Sequence, residues 1–378
     1  MIHTRWLTEA DWEPLAGVLA ESFNFANVPG WDVFRARVGD NNVRVALDGE
    51  TVVGGLGSYP LGTYLGGRRL PMGGLAAVGV APEWRGRGVA RRLVLDTLRE
   101  LRARGVPLAG LYPASLPVYR SYGFEQAGER VQYEVPLDAI VGFRPEVAVT
   151  RQALDDDAEI RRRYRPRAGN LDRGAAIWGR LLQPVGGGRQ AYLLGDDGYV
   201  ILAQVPPDGH HYDIEVYDYA APSPATLRTL LAFLAGFRSL GEKLRWFGEP
   251  CDPLLGLIPE VRWSVKQHQR WMLRVLDPAA ALAARGYTVE GELHIELHDA
   301  HFPENSGRYV LHAGDSPRVE VGGRGELRTG ERGLAPLLSG LYSASTLAQM
   351  GLVEGTREAL ATADRIFAGA VPFLREMY

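Results

Sequence analysis

A chain of 378 residues, 46% hydrophobic and 23% charged, has an ordinary globular composition, and its length predicts two or three domains with their own cores. Its 42 basic residues against 45 acidic ones leave a net charge of −3, which excludes a global pull toward nucleic acid or an anionic membrane. The single cysteine, Cys251, excludes an internal disulfide, and the chain opens on no signal pattern, so a soluble cytoplasmic protein is expected.

Residues 2–6 read as a short strand. Thr8 then caps a helix, with Asp11 three residues on. Trp12, Leu15, Leu19 and Phe23 place apolar groups on one face of that helix. Residues 43–47 and 51–59 are predicted strands joined at Asp48-Gly49, a hairpin signal. Residues 75–80 form another apolar strand, followed by a loop and a long helix from about 88 to 104. A buried strand at 106–111, a short helix at 115–122 and a strand at 131–135 close this unit.

A second unit begins near Phe143. It holds a helix at 175–182, a hairpin at Asp196-Asp197-Gly198, a strand at 212–219, a helix and a strand at 244–247. Ser223-Pro224 opens the last helix as N-cap and first-turn proline. The order resembles the first unit and suggests an internal duplication. The charge-rich run Asp155–Asp157 and Arg161–Arg163 reads as a solvated helix face. The most apolar helical stretch, 227–237, is too short to span a bilayer and carries Arg228.

The third unit begins near Asp277-Pro278. Strands at 292–298, 308–312 and 318–321 precede two predicted helices, about 334–349 and 356–367, which suggests an α+β layer. His294, His298 and His301 look like metal spacing at first. But Leu293, Ile295 and Leu297 alternate with polar neighbours, which is a strand pattern. Residues 294 and 298 would then stand roughly 13 Å apart, so no metal site is expected.

The strongest chemical signal is VGVAPEWRGRGVARRL, residues 78–93. An apolar strand runs into an Arg/Gly loop that opens a helix. A helix N-terminus offers free N–H groups and a partial positive charge, which suits a pyrophosphate. Gly86 and Gly88 let the backbone approach closely, and Arg85 and Arg87 add charge-assisted contacts. The pattern is no Rossmann fingerprint, since Pro82-Glu83-Trp84-Arg85 separates strand from glycine and Arg91 stands where a small residue belongs. It is no P-loop either, since no Lys-Ser/Thr follows the last glycine. Without the strand–loop–helix context it would read as an Arg-rich surface loop.

In that context the motif resembles the acetyl-CoA loop of the GNAT superfamily, and most closely that of the Eis (enhanced intracellular survival) acetyltransferases. The resemblance continues through ASLPVYRSYGF (114–124), ALAARGY (281–287), LSGLYSASTLA (338–348) and the tail at 371–378, and so covers nearly the whole chain. It implies two tandem GNAT-like mixed α/β domains followed by an α+β domain like sterol carrier proteins. The expected division is a catalytic domain at 1–140, a degenerate GNAT-like domain at 141–276, and a third domain at 277–378 whose C-terminus completes the active site.

The resemblance further implies N-acetyl transfer from acetyl-CoA to a primary amine: an aminoglycoside, a polyamine-like molecule or a lysine side chain. Val78, Gly79 and Val80 would meet the pantetheine arm. Arg85, Gly86, Arg87, Gly88, Val89, Ala90 and Arg91 would hold the pyrophosphate, and Ala114 and Ser115 would line the far side of the channel. Tyr119 takes the general-acid position and the terminal carboxylate of Tyr378 the general-base position. A homohexamer is implied, with no metal, nucleic acid or membrane partner. No CoA is expected in the second unit, where Ala220-Ala221-Pro222-Ser223-Pro224 replaces the glycine loop.

Two other function classes stay open on the residues. One is a lipid- or sterol-binding module built on the third unit, and the other a non-catalytic CoA-binding scaffold. Tyr119, beside Tyr112 and Tyr122, also has a plain packing reading. The exit of the first helix, Ser22-Phe23-Asn24-Phe25, and Met377 before the terminus bring no carboxylates, which should weaken a polycation site.

Overall fold

A computed structural model describes residues 2–25, 28–184, 187–206 and 211–378. The first unit holds β1 (Ile2–Trp6), α1 (Glu9–Phe23), α2 (Val28–Val38), β2 (Val43–Asp48), β3 (Thr51–Leu65), β4 (Arg68–Val80), α3 (Val89–Ala103), β5 (Leu108–Leu111), α4 (Leu116–Arg120) and β6 (Glu125–Pro136). The second holds β7 (Val149–Gln152), α5 (Ala158–Arg163), β8 (Leu171–Asp172), α6 (Ala175–Leu182), β9 (Arg189–Leu194), β10 (Gly198–Val205), β11 (Tyr212–Ala220), α7 (Pro224–Ala235), β12 (Gly241–Gly248), α8 (Pro253–Leu257) and β13 (Ser264–Val275). The third holds α9 (Pro278–Ala284), β14 (Gly291–His298), β15 (Gly307–Ala313), β16 (Arg318–Val321), β17 (Leu327–Gly330), α10 (Glu331–Ser339), α11 (Ala344–Gln349), β18 (Val353–Gly355) and α12 (Arg357–Phe367).

The first two units share one sheet, in the order β1-β2-β3-β4-β5-β13-β6-β12-β11-β10-β9-β7, with β8 on the flank of β3. The third unit has its own sheet, β16-β15-β14-β17-β18. The duplicated order read from the sequence conceals an exchange. β13 lies at the end of the second unit in sequence, yet it inserts between β5 and β6 and closes the first unit's sheet. β6 in turn pairs with β12.

Several predicted elements change length for identifiable reasons. The second strand of the first hairpin runs on to Leu65 through Pro60, which lies in the gap where β2 has stopped pairing at Gly57 and β8 has not yet begun at Gly62. β3 then turns at Gly66 and Gly67, whose φ values of 59° and 79° need glycine, and returns as β4. The helix predicted at 334–349 is two helices. Gly340, at φ 83°, ends α10, and the Ser343 hydroxyl caps α11. Phe23 leaves the predicted core face. Trp12, Leu15 and Leu19 are buried, but Phe23 is 46% exposed. The charged run on α5 is mostly solvated, except that Arg163 is buried and donates to the Gly198 carbonyl at 2.9 Å.

Candidate active site

The site is set by a gap in the sheet. β4 and β5 run parallel but pair only at Met72–Leu108, Gly73–Ala109 and Gly74–Gly110. β5 ends at Leu111, while β4 continues to Val80, so the sheet opens beyond Gly74 and Gly110. The far half of β4 carries an irregularity. Its register against β3 shifts between Gly55 and Gly57, and Ala77 sits at φ 53°, a left-handed backbone unusual for a residue with a Cβ. Such strain persists only where the surroundings over-determine it, and it marks the edge of the gap.

The Arg/Gly loop lies at the head of α3. Gly88 is the N-cap at φ 79° and Gly86 has φ 73°, and no heavy atom lies within 4 Å of a Cβ built on either. This is open space bounded by free helix N–H groups, as an anion site needs. Leu93, Val94 and Leu98 anchor the helix in the core, and Val89 is buried with them. Arg85, Gly86, Arg87 and Gly88 are exposed, Ala90 is half-buried, and Arg91 is exposed. The Arg85 Nε donates to the Val80 carbonyl at 3.2 Å, which the Ser22 hydroxyl also approaches at 3.3 Å. That carbonyl is therefore already used, and Val80 could offer a ligand only its N–H. Arg87 stacks over Trp84 at 4.9 Å. Val78 and Val80 pack half-buried against the α3 core, with Gly79 beside Leu19 and Ser22.

Tyr119 is carried by α4, with Ser115 as the extended residue before that helix. Its ring packs edge-on to Tyr122 and Phe124, at 6.2 and 6.0 Å. Burial pushes its phenol up to about 12, helped by the nearby Tyr122. The hydroxyl has no hydrogen-bond partner among the described residues. Ala114 lines a cleft of about 800 Å³ with Phe23, Tyr112, Leu116, Gln126, His268 and Met377, and Ser115 stands exposed beside that lining.

The C-terminal tail reaches this cleft from the third unit. Phe373 N–H donates to the Ala168 carbonyl at 2.9 Å, and Leu374 N–H to the Glu129 carbonyl at 2.9 Å. Asn170 binds the Phe373 carbonyl at 2.8 Å, Arg130 the Arg375 carbonyl at 3.1 Å, and the Tyr112 hydroxyl the Glu376 carbonyl at 2.7 Å. Tyr378 then lies with its ring 5.8 Å from Tyr112. A Cβ on Gly74 would stand 2.8 Å from that ring, and one on Gly110 2.8 Å from its hydroxyl. The last paired residues of β4 and β5 are thus both glycines because the chain's last side chain rests on them. The Tyr378 hydroxyl is buried without a partner, and burial raises its pKa. Its terminal carboxylate forms no ion pair among the described residues.

A buried ion cluster holds the tail in register. Asp218, on β11, accepts from Arg173 at 2.6 Å and from Arg375 at 3.0 Å, and from the Tyr199 hydroxyl. Arg173 also pairs with Glu376. Burial opposes ionisation of Asp218, but the guanidinium groups of Arg173 and Arg375 outweigh it and hold the carboxyl below its ordinary range. The second unit thus anchors the tail through Asp218, beside the contacts from Tyr112, Glu129 and Arg130 of the first.

The sequence brings Tyr119, Ala114 and the loop to one domain, but Gln126, His268, Gln269 and Arg270 of the cleft carry no local signal. His268 and Gln269 arrive on the exchanged strand β13, and Gln126 comes from the start of β6. His268 stands 3.5 Å from Glu129. His294, His298 and His301 separate as the alternation predicts. His294 pairs with Glu292 at 2.8 Å, while His301 groups with Asp299 and Glu331. That last group is bound up already, since Arg274 holds both Asp299 oxygens at 2.6 and 2.7 Å and His301 contacts the Ser121 carbonyl at 2.9 Å. No helix among the described residues is long and apolar enough to cross a membrane.

Comparison with known proteins agrees with this geometry. A GNAT acetyltransferase domain family matches residues 3–127, a second GNAT acetyltransferase domain family matches residues 169–275, and a sterol carrier protein domain family matches residues 278–375. The N-acetyltransferase Eis of Mycobacterium tuberculosis is 27% identical over 97% of this chain and 96% of its own length. A crystal structure of a GCN5-related N-acetyltransferase from Anabaena variabilis superposes with a TM-score of 0.95 at 32% identity, covering all of both chains. One from Kribbella flavida superposes with a TM-score of 0.90 at 30% identity, covering 100% of this chain and 98% of that one.

Proposed function

The chain belongs to the GCN5-related N-acetyltransferases, of the Eis-like kind, and from that premise we propose that it acetylates a primary amine with Tyr119 as general acid and the terminal carboxylate of Tyr378 as general base. In this reading residues 1–140 catalyse, residues 141–276 hold the tail, and residues 277–378 supply it. The observation that carries it is the seating of Tyr378 on Gly74 and Gly110, where the sheet opens.

Acetyl-CoA supplies an activated thioester. The free N–H groups at the head of α3, with the cations of Arg85, Arg87 and Arg91, suit its pyrophosphate, and the opening between β4 and β5 suits its extended arm. Ala114 and Ser115 bound that arm on the side of α4. An attacking ammonium must first lose a proton, and in this reading the tail carboxylate, which forms no ion pair with a described residue, takes it. A new N–C bond then replaces the C–S bond, and the departing thiolate needs a proton. With the Tyr119 phenol at about 12, full transfer to a thiolate is uphill by roughly 5 kcal/mol. Tyr119 therefore acts chiefly as a hydrogen-bond donor to the developing thiolate, with the proton following late or from solvent.

Tyr119→Phe keeps the ring packing and removes the proton. We expect kcat to fall of order 10²-fold with acetyl-CoA affinity little changed. A phenol at about 12 stays protonated across the working range, so kcat/KM of the wild type should show no alkaline descent up to about pH 10 that Tyr119→Phe abolishes. Wild-type turnover in Tyr119→Phe, read by thiol release, would remove Tyr119 from the mechanism.

Gly88→Val tests the loop. A β-branched residue at φ 79° is strained, but its Cβ meets no protein atom, so the fold should survive. Displaced N–H groups should weaken acetyl-CoA binding at least tenfold, about 1.4 kcal/mol. Unchanged affinity by calorimetry would place the cofactor elsewhere.

A further inference from the structure

On the far side of the tail lies a second cavity, of about 210 Å³, whose lining includes Arg130, Arg180, Arg189, Arg375 and Glu376. Met377 borders both this cavity and the larger cleft. The charges here do not balance. Arg375 is bound by Asp218, and Glu376 by Arg173. Arg130, Arg180 and Arg189 form no ion pair with any described carboxylate.

Their hydrogen bonds go to neutral groups. Arg130 donates to the Arg375 carbonyl at 3.1 Å and to Gln269 at 3.2 Å. Arg189 donates to the Arg180 and Leu181 carbonyls, at 2.7 and 2.6 Å, and lies 3.8 Å over the Tyr217 ring. Arg180 neighbours the Tyr59 phenol. A guanidinium group without a carboxylate is structural where its donors are spent on backbone carbonyls. Arg285, for example, is sealed and spends its donors on the carbonyls of Leu338, Gly286 and Phe367. The three cavity arginines are half-buried instead, and burial disfavours the charge of Arg130 and Arg189. Three clustered cations in a semi-enclosed cavity repel one another unless an anion joins them.

We propose that the acceptor amine carries an anionic group, a carboxylate or a phosphate ester, which Arg130, Arg180 and Arg189 bind while the amine reaches past Met377 to the cleft. This rests on the acetyltransferase reading and narrows its acceptor. Arginine suits both anions, since its planar fork meets two oxygens at once. The same field repels polycations, and the first helix exit, Ser22-Phe23-Asn24-Phe25, offers no carboxylate to offset it.

The test uses the full chain with its native C-terminus. Calorimetry with inorganic phosphate alone should show binding to the wild type and at least tenfold weaker binding to an Arg180→Ala, Arg189→Ala double variant. Arg180→Gln alone serves if the double variant fails to fold. In thiol-release assays, phosphoethanolamine and β-alanine should exceed ethanolamine and propylamine in kcat/KM at least tenfold. Arg180→Gln should raise KM for the anionic amines at least tenfold and leave KM for acetyl-CoA unchanged, which separates this cavity from the cofactor's phosphates. Phosphate that binds neither form, or both equally, overturns the anion site, and so does a preference for diamines over the anionic amines. Silence of every amine while phosphate binding still depends on Arg180 would instead contradict the acetyltransferase reading and leave the anion site standing.

Discussion

Deleting Tyr378, or extending the chain beyond it, is expected to lower kcat/KM for acetyl transfer by about 10²-fold or more, the magnitude of a lost general base. The expectation follows from the last residue's position. Its ring is buried over Gly74 and Gly110, and added chain would have to leave through that packing or pull the ring out. A terminal carboxyl is a weak base in water, at a pKa of about 3.5, and a low-dielectric site would strengthen it. Two controls separate charge from packing. Tyr378→Phe should retain activity, because its hydroxyl is buried without a partner and contributes little. His268→Gln should also retain it. His268 is the rival base, since it lines the cleft and has Glu129 3.5 Å away. Loss of activity in His268→Gln together with full activity in a C-terminally extended protein would move the base from the tail to β13.

Asp218→Ala should destabilise the protein by about 3–5 kcal/mol, because it leaves Arg375 without a carboxylate and Arg173 with Glu376 alone, both guanidinium groups being almost fully buried. Removing one partner of such a cluster costs far more than the cluster contributes over an apolar one, since the remaining charges have lost their solvation. The effect should not stop at stability. Arg375 is part of the tail and takes its register from Asp218 and from the Tyr219 carbonyl at 2.7 Å. In the folded fraction, kcat/KM should therefore drop at least tenfold while acetyl-CoA affinity holds. Asp218→Asn keeps the shape and should show a smaller loss in both. Thermal unfolding with calorimetric cofactor binding checks this. A destabilised variant with full activity per folded molecule would reduce Asp218 to a scaffold residue.

The two predictions draw on parts of the molecule that differ in how far the sequence exposes them. The loop at 85–88 is legible because local rules set it: a strand, two glycines at positive φ and an amphipathic helix occupy consecutive residues. The apolar tail is legible for the same reason, and its seat on the first unit is implied by the family resemblance alone. The seat itself is not readable, because Gly74 and Gly110 look like ordinary strand glycines until Tyr378 is placed on them. The cluster around Asp218 joins residues 173, 199, 218 and 375, and no periodicity links positions so far apart.

The exchange of β13 is hidden for a related reason. Alternation along Ser264–Val275 can indicate a strand but not its neighbours, and its pairing with β5 spans more than half the first two units. His268 and Gln269 enter the cleft only through that exchange, and no motif of the first unit points to them. Arg130, Arg180 and Arg189 were likewise invisible among so many arginines, and become a group only when β6, α6 and β9 converge on the tail.

The most direct test of the account is thiol release from acetyl-CoA by the untagged chain against amines of varied charge, with the product identified by mass spectrometry. The account predicts saturable, amine-dependent release with one acetyl group appearing on the acceptor nitrogen, and loss of that release when a residue is added after Tyr378. Ordinary acetyl-CoA binding with no acetylation of any amine would contradict it and leave a CoA-binding scaffold.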